Sequence, residues 1–130
     1  MIAVDSSVLI DMYRQIDNSR TRKLKTLKTS EEEIILLDVV MLEVLQGARD
    51  DLHSRRLEKN MRELRLERAM SFETVVNAAQ HSRKLRSLGV TIRKTIDIII
   101  GTWCIENHCP LLHNDRDFLP MVQHLGLREF

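Results

Sequence analysis

The chain is poor in the residues that usually declare a special architecture. It has two cysteines, two prolines and four glycines in 130 residues, with one Trp, one Tyr and three Phe. Two cysteines, Cys104 and Cys109, make no disulfide framework, and a reducing cytoplasm is the expected setting. Few glycines and prolines, with 43% hydrophobic and 30% charged residues, exclude a disordered or low-complexity chain. So few aromatics argue against a base-stacking platform for single strands. No apolar run approaches the ~18 residues needed to cross a bilayer. No basic segment leads into an apolar one near Met1, so no signal peptide is expected and no membrane association follows. The formal net charge of +1 does not by itself call for nucleic acid. The length fits one domain spanning residues 1–130, with one sizeable core.

What the chain does have is acids in apolar company. Asp5 closes Met1-Ile2-Ala3-Val4, and Glu43 follows the apolar stretch from Ile34 to Leu42. Asp97 opens Ile98-Ile99-Ile100, and Asp115 and Asp117 follow Pro110-Leu111-Leu112. Burying a carboxylate is costly unless it is hydrogen-bonded, paired or bound to a metal. Several acids so placed suggest one shared divalent-cation site and metal-dependent phosphodiester chemistry. The bland alternative is a set of helix caps.

Ile2-Ala3-Val4 reads as a buried strand, followed by Asp5-Ser6-Ser7 as a cap and by a helix presenting Val8, Leu9, Ile10 and Tyr13. Residues 17–31 are polar, with Leu24 and Leu27 pinning a short helix. Ile34–Leu37 is a second strand, and Asp38 is expected to N-cap a helix ending near Gly47. A long helix is expected from about Asp50 to Glu67, with a narrow stripe of Leu52, Leu57, Met61, Leu64 and Leu66. Met70–Phe72 is expected to be extended. Glu73–Leu88 is expected to be helical, with Val75, Val76, Ala79 and Leu85 inward and Gly89 as its stop. Asp97 is expected to cap the buried helix Ile98–Glu106. Pro110–His113 is a third strand, Asp117–His124 a last helix and Leu127–Phe130 a final edge strand. Strands separated by helices predict an α/β fold with a mainly parallel sheet. In such sheets ligands sit outside the carboxyl ends of the strands, where Asp5, Asp115 and Asp117 fall.

The basic residues fall into two stretches. Arg14, Arg20, Arg22, Lys23, Lys25 and Lys28 surround a single acid, Asp17, and offer either a positive field toward a polyanion or a solvated face. Arg55, Arg56, Lys59, Arg62, Arg65 and Arg68 alternate with glutamates, as on a solvated helix. Arg86, Arg93 and Lys94 precede Asp97 and are candidate phosphate contacts. Arg116 is expected to pair with a neighbouring carboxylate, Asp11 to be solvated, and His108 and His113 to be structural. No Cys/His spacing fits zinc.

Four blocks in order give the chain a known look: Ile2-Ala3-Val4-Asp5-Ser6-Ser7-Val8-Leu9-Ile10-Asp11, Glu43-Val44-Leu45-Gln46-Gly47, Leu85 through Ile100 around Asp97, and Leu111-Leu112-His113-Asn114-Asp115-Arg116-Asp117-Phe118. The chain resembles the PIN domain family over nearly its whole length, and within it the VapC toxins of toxin–antitoxin pairs. The resemblance implies a three-layer α/β/α sandwich with a central, mainly parallel sheet and a helical clip. It implies a Mg²⁺-dependent endoribonuclease, with Mn²⁺ as the other candidate ion. It also implies structured RNA or tRNA as substrate, a VapB-like antitoxin, and a homodimer or a toxin–antitoxin hetero-oligomer. Asp5, Glu43 and Asp97 match the family's first three acidic positions, and Asp115 or Asp117 the fourth. Catalytic roles thus fall on Asp5, Glu43, Asp97 and Asp115, and metal ligation on Asp5, Asp97, Asp115 and Asp117. Ser7, Asn114, Arg86, Arg93 and Lys94 stand as supporting or substrate residues. Asn114 replaces the usual Thr or Ser, and Gly101-Thr102 replaces a small alanine pair. The alternative is a PIN-fold RNA-binding or regulatory protein without catalysis.

Overall fold

The computed structural model describes residues 1–130. Four short strands form one parallel sheet: β1 (Ile2–Val4), β2 (Ile34–Leu37), β3 (Arg65–Glu67) and β4 (Leu111–Leu112), in the spatial order β3-β2-β1-β4. Every residue of β1, β2 and β4 is buried. This is what near-continuous Ile, Val and Leu runs predict for strands covered on both faces. Helices α1 (Ser6–Tyr13) and α2 (Ser19–Lys28) join β1 to β2, and α3 (Asp38–Gln46) and α4 (Asp51–Met61) join β2 to β3. Helices α5 (Phe72–Ser87) and α6 (Thr95–Glu106) carry the chain from β3 to β4, and α7 (Leu119–Leu125) follows. The first two crossovers step one way along the sheet and the third steps back past β1. Right-handed crossovers therefore put α1–α4 on one face and α5–α6 on the other, giving the expected α/β sandwich.

The reversal of direction falls between β1 and β4, where Ala3 pairs with Leu111 and Val4 with Leu112. An open parallel sheet has its crevice at such a switch point, outside the strand ends. Asp5 follows β1 directly, and His113, Asn114 and Asp115 follow β4. One cluster of 28 buried apolar residues holds this arrangement. Leu9, Ile35, Leu36, Leu111 and Phe118 are fully enclosed within it, and each such side chain contributes about 1.5–3 kcal/mol. Cys104 and Cys109 are buried and unbridged.

Several sequence expectations are corrected. The helix begun at Asp50 ends at Met61 rather than Glu67, and Arg65–Glu67 is a strand. Its residues are largely exposed, so it carries no apolar run to announce it. Leu57 and Met61 are buried, but Leu52 lies 57% exposed and outside the stripe. Of the piece Met70–Phe72 expected to be extended, Phe72 instead opens α5, and the extended Ser71 caps it by accepting from Thr74 N–H. The inward face of α5 is Thr74, Ala78 and Leu85, whereas Val75 and Val76 are exposed. Small side chains there let α5 lie against α6. Leu127–Phe130 contributes only a parallel bridge between Leu111 and Glu129. Gly89, at φ +80°, ends α5 as expected, in a conformation that favours glycine.

Asp38 is the first residue of α3 rather than its N-cap, which is Leu37. Its Oδ1 accepts from Val39 N–H at 2.8 Å and from Ala69 N–H at 3.0 Å, tying the end of β2 to the segment after β3. Ala69 is 1% exposed, so Asp38→Ala would strand a buried donor. The expected loss is about 1–3 kcal/mol, read by urea denaturation. Asp38→Asn, which keeps the acceptor, is expected to restore most of it. Equal stability of all three proteins would refute this role.

Candidate metal centre

Asp5 and Asp97 are each 3% exposed, and they reach the same crevice from different layers. Asp5 is the N-cap of α1, in extended conformation at the end of β1. Its Oδ2 accepts from Ser7 N–H at 3.0 Å and from Ser7 Oγ at 2.5 Å. Asp97 lies in the first turn of α6, whose N-cap is Lys94, so Asp97 is not the cap the sequence suggested. Its Oδ2 is buried without any hydrogen-bond partner. Glu43, half-buried on α3, accepts from Ser6 Oγ at 3.0 Å.

Across the crevice, the exit of β4 supplies Asp115 and Asp117. Asp115 Oδ1 accepts from Asp117 N–H at 2.9 Å, the turn that opens a short 3-10 segment, Arg116–Phe118. One ligand oxygen from each of Asp97, Asp115 and Asp117 lies within 4.8 Å of the others. The sequence posed Asp115 and Asp117 as alternatives, but the fold brings both to Asp97. Asp5 stands outside this triplet, yet it is the strongest neighbouring charge acting on Asp97.

Electrostatics register the crowding. Burial, then repulsion by Asp5, pushes the Asp97 carboxyl up to about 7 from the ordinary value of 3.8. Burial raises Asp5, against the opposing bonds from Ser7, and Asp115 adds to the rise. Burial raises Glu43, with Ser6 opposing and Asp5 adding. Lys94 Nζ stands 3.9 Å from Asp115 Oδ2 and partly relieves Glu43 and Asp97. A buried carboxylate oxygen with no donor, beside two further carboxylates, fits a divalent cation. The donors are all hard oxygens, which suits Mg²⁺ or Mn²⁺ rather than zinc.

The surrounding polar residues build a frame. Ser7 Oγ, while donating to Asp5, accepts from Asn114 N–H at 3.0 Å. Asn114 Nδ2 donates to Asp11 Oδ2 at 3.2 Å, and Asn18 Nδ2 donates to the same oxygen at 3.0 Å. Asp11 is therefore a tie between α1, the start of α2 and the β4 exit, not the solvated residue expected. Ser7 and Asn114 stand in this frame, between Asp5 and the exit of β4. Ser6 was missed; its signal was a second hydroxyl beside Asp5. His113 is buried, its Nδ1 accepts from Asp115 N–H at 3.2 Å, and its ring lies 4.9 Å from that of Phe118. His108, at a helix end with φ +50°, is exposed. Neither histidine joins the carboxylate cluster. Of the candidate cations only Lys94 pairs with a site carboxylate; Arg86 and Arg93 are exposed and make no ion pair. Arg116 also joins no ion pair, contrary to expectation.

These shifts fix a pH dependence. Asp97 binds its proton more tightly folded than unfolded, so the metal-free fold loses stability as pH rises from about 4 to about 7 and the penalty stays above that range. Asp97→Asn is expected to stabilise the metal-free protein at pH 8 by on the order of 1–3 kcal/mol, and little at pH 4. Thermal melts in EDTA at the two pH values test this. A gain independent of pH would contradict the origin assigned to it.

The family model described as PIN domain matches residues 2–121. Among solved structures, VapBC2 from Rickettsia felis, bound to a DNA fragment from its promoter, aligns at TM-score 0.80 and 15% identity, covering 100% of this chain and 98% of that one. VapBC-1 from nontypeable Haemophilus influenzae aligns at TM-score 0.77 and 15% identity, covering 100% and 97%. A toxin–antitoxin complex from Klebsiella pneumoniae aligns at TM-score 0.69 and 16% identity, covering 91% and 90%. At such identities the likeness to these structures is one of fold. With the family match over nearly its whole length, the chain belongs to the PIN domain family.

Proposed function

We propose that this protein is a Mg²⁺-dependent endoribonuclease toxin of the VapC type, with Mn²⁺ as an alternative ion. It hydrolyses phosphodiester bonds in RNA, with tRNA or another structured RNA as substrate, and is neutralised by a cognate VapB-like antitoxin. The observation that carries this reading is the orphaned Oδ2 of Asp97 beside Asp115 and Asp117. PIN family membership and the toxin–antitoxin identity of the similar folds support it.

On this reading Asp97, Asp115 and Asp117 hold the cation, and Asp5 adds charge and a further carboxylate at the same edge. A bound divalent ion supplies a more acidic water and neutralises charge on the scissile phosphate. Glu43 is suited to take a proton from the attacking water. Burial raises its proton affinity, and Ser6 fixes one of its oxygens while the group stays half exposed. Lys94 offers a point charge to the phosphate once a cation satisfies Asp115. Ser7 positions Asp5 and the β4 exit, its hydroxyl engaged with Asp5 and Asn114, and Asn114 is tied in turn through its N–H and Nδ2. A homodimer, or a hetero-oligomer with the antitoxin, completes the reading. Apolar surface on α5 supports a protein partner: Phe72 is 95% exposed, with Val75 and Val76 beside it.

Purified protein is expected to cut RNA in Mg²⁺ and to stop in EDTA. Asp97→Asn is expected to lower the rate by about 10²–10³-fold, in line with losing one essential catalytic group. Asp5→Asn is a better test than Asp5→Ala, since the amide oxygen still accepts from Ser7 and preserves the cap. Gel assays on total RNA, with circular dichroism to confirm folding, check both. Undiminished cutting by Asp97→Asn would falsify the assignment. RNA bound but uncut in Mg²⁺ and Mn²⁺ would replace it with the non-catalytic reading.

A further inference from the structure

A recess of about 310 Å³ opens beside the acidic centre, lined by Arg20, His113, Asn114, Asp115, Arg116 and Glu129 among others. Asp115 belongs to both, so whatever fills the recess lies next to the metal ligands. Its size is at the lower end of small-molecule sites, about 300–1,000 Å³, enough for one nucleotide unit of a longer strand. Two arginines on this wall lack a carboxylate partner. Arg20, near the start of α2, is held by donating from Nε to the His113 carbonyl at 3.4 Å and from Nη1 to Ser19 Oγ at 3.0 Å. Arg116, directly after Asp115, makes no side-chain hydrogen bond or ion pair, and both arginines are exposed.

Being unpaired is common among the exposed arginines, so what sets Arg20 and Arg116 apart is their place beside the acidic centre; three others are neutralised. Arg22 pairs with Asp17, Arg62 with Glu58, and Arg65 with Glu33 and Glu67. The acid on the recess wall besides Asp115 is Glu129, and it is directed elsewhere: its Oε1 lies 2.8 Å from His113 Nε2, although not aligned for a hydrogen bond. Two unpaired guanidinium groups beside a phosphodiesterase centre offer forked donors matched to phosphate oxygens. No Phe, Tyr or Trp lines the recess, and the one ring on its wall, His113, is buried against Phe118, so its chemistry favours backbone over base.

We propose that Arg20 and Arg116 grip a phosphate of the RNA strand next to the scissile one, so that substrate crosses the centre from Lys94 toward the β4–α2 side. This deepens the nuclease reading and rests on it. It moves the substrate path away from Arg86 and Arg93, where the sequence placed it.

The test is fluorescence anisotropy with a labelled single-stranded RNA, in Ca²⁺ to hold the strand without rapid cutting, across a salt titration. Arg20→Gln and Arg116→Gln are each expected to weaken binding about 3–10-fold and to lower the slope of log K against log[salt] by about 0.7, one single-strand phosphate contact. The double variant is expected to lose more. Mn²⁺ affinity by calorimetry is expected to stay within about twofold, since neither residue is a ligand. Arg56→Gln on α4 is the control, expected to match the parent. Parent-like affinity and slope in both variants, with the parent binding RNA, overturn the grip and leave the nuclease reading standing. A parent that neither binds nor cuts RNA overturns both. Displacement of RNA by inorganic phosphate from the parent but not from the double variant, with equal RNA affinities, would mark a free-phosphate site and overturn the strand assignment.

Discussion

Asp5 and Asp97 repel each other from buried positions at one end of the sheet, and the organisation of the crevice follows from that conflict. Each carboxyl is nearly sealed from water, and each is pushed toward its protonated form chiefly by burial. Stability alone would replace one of them with an amide or an apolar side chain. The fold instead offsets the cost in part, through Ser7 at Asp5 and Lys94 near Asp97, and leaves one oxygen of Asp97 unmatched. Two elementary charges on a small cation would answer that deficit more fully than any donor the chain provides. The arrangement is thus a local sacrifice of stability of the sort found where function overrides packing.

That sacrifice is affordable only because the acids stand on rigid elements. β1 and β4 are adjacent and fully buried, and their register sets Asp5 beside the segment that carries Asp115. Ser7 couples the two directly, donating to Asp5 and accepting from Asn114. Asp11 adds a second link, receiving both Asn114 and Asn18. None of these bonds uses the face on which Asp97, Asp115 and Asp117 converge. The frame therefore fixes Asp5 and the β4 exit while leaving Asp97 Oδ2 free, as a preorganised cation site would require.

Much of this was legible in the sequence because it depends on short-range signals. A buried run ending in Asp-Ser-Ser marks β1, its cap and the site at once. The acids at Asp97 and Asp115 stood out by contrast with their apolar neighbours. What the sequence concealed was decided by tertiary context. β3 is polar and short, and becomes a strand because β2 offers it an edge through Ile35, Leu36 and Leu37. On α5 the valines looked inward by hydrophobicity, but close approach to α6 selects Thr74 and Ala78, with Thr74 Oγ1 also donating to Glu106 at 2.8 Å. The choice between Asp115 and Asp117 was likewise beyond pattern: a 3-10 turn held by Asp115 itself swings both toward Asp97. Pattern alone leaves Asp11 solvated and Ser6 only part of a cap, because Asn114 and Glu43, which they meet, lie far along the chain.

The net charge of +1 conceals a segregation that matters more than its sum. Exposed Arg–carboxylate pairs on the outer helices and β3 cancel locally, and such pairs add little to stability. The crevice does the opposite: acids gather at its floor, while Lys94, Arg20 and Arg116 stand around it, two of them unpaired. On the proposed reading, a cation at the floor would reduce the repulsion that the floor otherwise exerts on a phosphate. The surrounding cations then act on the polyanion without the acids opposing them. Screening confines such fields to about 8–10 Å at ordinary ionic strength, so the net charge of the chain says little about the potential at this crevice. On the proposed reading, metal loading and strand binding would then be coupled through charge alone, with no conformational change required.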